Sequence, residues 1–155
     1  MRKSIQLIMI LAVAALFTTV SCKSSSNDPV PDPAGPTIVV TLPVDNTEFT
    51  TGSPVALDAV LTSGSSLNTL TASVVWVSDL SITAMVNGLK SAPVKWNPTP
   101  KVVTLNGKSS QTLSGESLFN PIPANALPAN YKLKLEVKDS AGKSVVKEVP
   151  FTIIN

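Results

Sequence analysis

The spacing of apolar residues along the chain changes twice. From Ile5 to Phe17 they follow one another almost without a break behind Arg2 and Lys3, and from Lys23 to Pro36 they nearly disappear. From Thr37 onward they return at every second position, in short bursts separated by turn residues. Period two is the spacing of side chains on one face of a β-strand, so the third stretch predicts strands with one face against a core.

Within that stretch Ile38, Val40 and Leu42 share a face until Pro43 stops the strand, and 44–47 reads as a turn. Glu48 to Pro54 leads into a strand in which Val55, Leu57, Ala59 and Leu61 alternate, with Asp58 pointing out. After the flexible turn 63–66, Leu70, Ala72, Val74 and Trp76 take one face, while Thr71, Ser73, Val75 and Val77 take the other. Apolar side chains on both faces predict a central strand, or one covered by the long loop that follows. Ile82, Ala84 and Val86 predict a fourth strand closed by Asn87-Gly88. Between Leu89 and Pro100 repeated prolines push their predecessors out of helix, which predicts a loop carrying Trp96.

Lys101–Leu105 and Gln111–Leu113 read as a hairpin across Asn106-Gly107, and Phe119 as a residue docked on the core. The clearest pair comes last. Tyr131, Leu133, Leu135 and Val137 alternate with Lys132, Lys134, Glu136 and Lys138, residues 139–142 turn, and Val149, Phe151 and Ile153 return. Short strands at this spacing predict an all-β antiparallel β-sandwich of about seven strands over 37–155.

Composition narrows the functions. The 155 residues are 43% hydrophobic and 14% charged, enough for one domain with a real core and too few charges for solvated helix faces. The net charge of +2 includes Arg2 and Lys3, and without them positive and negative charges balance. A neutral domain lacks the field that drives nucleic-acid binding, so DNA and RNA are set aside. With no histidine and one cysteine, His-based acid–base catalysis, His/Cys zinc sites and an intramolecular disulfide are excluded. Asp45, Glu48, Asp79 and Asp139 are spread one or two per turn, which is poor for calcium, and no carboxylate pair stands out for catalysis. The expectation is a protein that is not an enzyme and needs no metal or cofactor.

The apolar run is shorter than the about 20 residues a membrane span needs and has the layout of a secretory leader over 1–21. It closes on Thr19-Val20-Ser21-Cys22, which resembles the lipobox of bacterial lipoproteins, with Thr19 where leucine is usual, as in the looser lipoboxes of Bacteroidetes-type proteins. The resemblance implies cleavage before Cys22, diacylglycerol on its sulfur and a lipid anchor at the cell envelope. The outer membrane is the expected location, with the protein facing either the surface or the periplasm. Two or more acyl chains make such an anchor stable. Residues 22–36, rich in serine and proline, then read as a tether that spans some tens of Å at roughly 3 Å per residue.

Ile122-Pro123, the run Leu127-Pro128-Ala129-Asn130-Tyr131 and Lys138-Asp139-Ser140-Ala141-Gly142 resemble the last two strands of bacterial Ig-like domains. The whole of 37–155 is similar in layout to the Ig-like domain of Bacteroidetes cell-surface lipoproteins, which implies an Ig-like or fibronectin III-like sandwich. Where those relatives often carry two histidines on the penultimate strand, this chain has Lys132 and Lys134, so a metal role does not carry over.

For binding, Trp76 lies in phase with Leu70 and Val74 and reads as core, whereas Trp96, flanked by Lys95 and Asn97, is the candidate ligand platform. Tyr131 reads as a structural tyrosine whose hydroxyl bonds nearby backbone. Lys132, Lys134 and Lys138 read as a solvent face that discourages edge pairing. The expected function is a lipid-anchored binding or accessory module for a glycan or an envelope protein; the alternative is a spacer subunit without a ligand of its own.

Overall fold

The computed structural model describes residues 32–80 and 92–154. The expected leader, Cys22, most of the expected tether and the expected strand 82–86 with its Asn87-Gly88 turn lie outside them. Among the described residues the period-two bursts become eight strands and no helix. They are β1 (Thr37–Leu42), β2 (Thr47–Thr50), β3 (Ala56–Thr62), β4 (Leu67–Asp79), β5 (Lys101–Thr104), β6 (Ser110–Ser117), β7 (Ala129–Asp139) and β8 (Ser144–Ile154).

The strands form two sheets, in the orders β1-β3-β6 and β2-β8-β7-β4-β5, in a sandwich-like all-β arrangement. The inner faces carry the predicted alternation. Leu57, Ala59 and Leu61 of β3 and Leu113 of β6 join Leu70, Ala72, Leu133, Leu135, Val137, Val149 and Ile153 in one continuous buried cluster. Each fully buried leucine there, such as Leu133 or Leu135, contributes roughly 2 kcal/mol of transfer free energy.

Four expectations need correction. β5 and β6 do not form a hairpin: β5 pairs with β4 and β6 with β3, so the connection crosses from one sheet to the other. Each strand finds a longer partner this way, and Leu105 and Leu113 are both buried. The short β2, expected only as a lead-in, pairs with β8, and in parallel, so the sheets are not wholly antiparallel. β7 is no edge but lies between β8 and β4, so its lysines line the outer face of a central strand, where Lys132 meets Glu148 at 2.8 Å and Lys138 meets Glu136 at 3.2 Å. The Lys132 ammonium holds the Glu148 carboxyl below its ordinary pKa, mainly through their hydrogen bond.

Residues 32–36, expected to belong to a tether, lie against the domain. Pro36 is buried, Gly64 donates its N–H to the Ala34 carbonyl at 2.8 Å, and the Lys143 ammonium bonds Asp32 and the Pro33 carbonyl. A Cβ on Gly64 would stand 2.6 Å from the Ala34 nitrogen, so only glycine lets this segment lie so close.

Register sorts the connections into two ends. Thr37 faces Thr62, Leu67 faces Asp139 and Lys138 faces Ser144, which gathers the turns 63–66 and 140–143 with Asp32–Pro36 at the near end. There the buried carboxylate of Asp139 accepts from Ser63 Oγ and from the Lys143 N–H, each at 2.9 Å. Ala56 faces Ser117 and Asp79 faces Ala129, which places the loops 92–100 and 118–128 at the opposite, far end. β7 runs its 11 residues between the two, about 35 Å at roughly 3.3 Å per residue.

Candidate binding site at the far end

The far end is built on a mismatch of strand lengths. β4 has 13 residues, but β5 covers only Thr69 to Ala72 of it. Trp76, inward-facing as its phase predicts, therefore lies beyond the last residue of the neighbouring strand, and its ring is only half-buried. It is in register with Tyr131, which is in register with Phe151, so three aromatic residues cross three strands in a row.

Tyr131 and Phe151 stack with centroids 5.7 Å apart and planes at 17°. Phe49 of β2 meets Phe151 edge-on at 5.6 Å. Trp96 closes the group from the loop, edge-on to Phe119 at 5.7 Å and to Phe151 at 6.3 Å. Such pairs add about 0.5–1.5 kcal/mol each beyond area burial.

The backbone of the loop is held as firmly as its tryptophan. The Trp96 N–H donates to the Tyr131 hydroxyl at 3.2 Å, and that hydroxyl donates to the Leu127 carbonyl at 2.9 Å. Val94 donates to the Asn125 carbonyl at 2.9 Å and accepts from the Leu127 N–H at 2.8 Å. The structural role read for Tyr131 is therefore present in atomic detail. Burial raises its phenol pKa; the hydrogen bond from Trp96 opposes the shift and the Asp79 charge adds to it.

These contacts bury Trp96, the expected platform, and leave Trp76, expected in the core, half-buried at the edge of the core. Trp96 is 7% exposed and belongs to the core, because its indole fills the space between Phe119 and Phe151. Trp76 presents the more open ring, and the Lys95 ammonium lies 3.5 Å from its centroid. A cation over an indole face at an exposed site is worth about 0.5–1 kcal/mol. Lys95 and Asn97 are exposed, as expected of a binding loop, but they flank Trp76. Periodicity told which way Trp76 faces; the signal for its exposure was the brevity of the Lys101–Leu105 apolar run beside a much longer one.

Two hollows result, with Trp96 as their common wall. One, about 320 Å³, is formed by Val74, Val75, Trp76, Lys95, Trp96 and Asn97. Its exposed polar side chains are Lys95, a donor, and Asn97, whose amide donates and accepts; the Trp76 Nε1–H is buried without a partner among the described residues. The other, about 590 Å³, opens between the loops, with Pro98, Thr99, Ser117, Phe119, Asn120 and Pro121 on its walls. Lys101 at its margin is neutralised by Glu116 at 3.2 Å and bonds the Ser117 carbonyl at 2.5 Å, joining the edges of the two sheets. Among the described residues no three of His, Cys, Asp and Glu come together as metal ligands.

Fold and site together define an all-β two-sheet domain with a concave aromatic end. No family model matches the chain, and no curated protein matches its sequence.

Proposed function

We propose that this chain is a lipid-anchored, Ig-like binding module of the bacterial cell envelope, attached through Cys22 and recognising a glycan or an envelope protein with its far end. One observation carries the reading: the two hollows that share Trp96 lie at the end of the domain opposite the segment Asp32–Pro36. A domain held from the near end offers that surface outward, clear of the headgroups. The lipobox-like Thr19–Cys22 and the tether support the anchor. The resemblance of residues 122–142 to the closing strands of bacterial Ig-like domains supports the fold family. The absence of histidine supports a binding role over hydrolysis.

The experiment is capture of envelope material by the full chain purified in detergent, with intact-mass analysis of the wild type and Cys22→Ala. Acyl mass on Cys22 together with retention of an envelope glycan or protein is the expected result. A chain that carries lipid but retains nothing above background is a spacer; one that carries no lipid removes the anchor.

A further inference from the structure

Resting on that reading, we infer that the smaller hollow takes the carboxylate of an acidic saccharide, with Lys95 as the discriminating residue and the Trp76 indole as the ring that holds its ammonium in place. Lys95 is exposed and, like Lys108, Lys134 and Lys147, makes no ion pair among the described residues, but of these it is the one that lies over an indole ring. Its ammonium is held 3.5 Å from the Trp76 centroid by the flat π-face rather than by a carboxylate, so its charge is left for an incoming anion. The nearest acid along β4, Asp79, is exposed at the strand end three residues on and does not engage it.

Another group of the hollow fits the rest of a sugar. The exposed Asn97 amide beside Lys95 can pair with the hydroxyls of a pyranose. A carboxylate on the same ring reaches Lys95 through a charge-assisted hydrogen bond, about twice as strong as one between neutral groups. Across Trp96 the larger cleft carries Thr99, Ser117 and Asn120 and no unpaired charge, which suits neighbouring units of a polymer.

The test compares a hexuronate polymer, polygalacturonate, with the same polymer after reduction of its carboxyls, using calorimetric titration of the full chain in detergent at low salt. The wild type should bind the acidic form at least tenfold more tightly. Lys95→Gln should remove that preference, Lys95→Arg should keep it, and Lys108→Gln at the near end should change nothing. Trp76→Phe should abolish the change in indole emission on binding. Equal affinity for the two polymers, or an equal loss in Lys95→Gln and Lys108→Gln, overturns the assignment of Lys95 but leaves a glycan-binding module standing. Preference for a carboxylate-ended peptide over both polymers overturns the saccharide. Binding of neither polymer overturns it too, and if envelope capture also fails the binding-module reading falls with it.

Discussion

Replacing Tyr131 by phenylalanine removes one oxygen and nothing else from the core. That oxygen accepts the Trp96 N–H at 3.2 Å and donates to the Leu127 carbonyl at 2.9 Å, in a residue that is 1% exposed. The variant keeps the stack on Phe151 but leaves a buried N–H and a carbonyl without their partner. A lost hydrogen bond costs about 1 kcal/mol net, and an unsatisfied buried donor somewhat more, so the loss should be about 2–3 kcal/mol. For a domain of this size that lowers Tm by about 10 °C. Thermal unfolding followed by circular dichroism measures it.

The same contact predicts a pH effect. Burial raises the Tyr131 pKa above that of the unfolded chain, so the folded state holds the phenolic proton more tightly. Its stabilising effect is complete below the unfolded pKa, about 10, and is lost as the pH rises from there through the folded pKa. Wild-type stability should therefore fall more steeply above pH 10 than that of Tyr131→Phe. A Tm drop under about 2 °C, with parallel alkaline profiles, would show that the hydroxyl holds neither loop and refute the account of the far end.

Other perturbations test other parts of the molecule. Asp139→Ala leaves Ser63 Oγ and the Lys143 N–H without their acceptor at a buried site, and should cost about 3 kcal/mol in denaturant unfolding. Gly64→Ala should displace Ala34 and open 32–36 to protease or hydrogen exchange while Tm changes little, because the new Cβ meets backbone rather than core. Acrylamide should quench Trp76 and spare Trp96, so Trp76→Phe should leave an emission almost insensitive to quencher and Trp96→Phe should not.

The strands themselves were legible because burial writes its period directly into the residues, as in Tyr131–Val137 and Val149–Ile153. Pairing was less so. Asn106-Gly107 is a strong hairpin signal, yet β5 and β6 part to opposite sheets, since long-range partners with more surface to bury outweigh a local turn. The parallel ladder between β2 and β8 has no local signature at all, because Thr47 and Phe151 meet only once everything between them has folded. At the far end the composition of the loop pointed to Lys95 and Asn97, while the half-burial of Trp76 depended on where a neighbouring strand stops. Tyr131 was readable because Pro128-Ala129-Asn130-Tyr131 sets both the corner and the strand that follows it.

The placement of β8 governs when this molecule can come into being. It is the last of the described strands along the chain, yet it lies inside its sheet between β2 and β7 and brings Val149, Phe151 and Ile153 to the core. Its ladder with β2 joins residues about a hundred positions apart, a long loop to close before any reward is collected. Neither the core nor the aromatic end can be complete until residues up to 154 are free to join β2 and β7. Folding should therefore follow as one late, slow step rather than strand by strand.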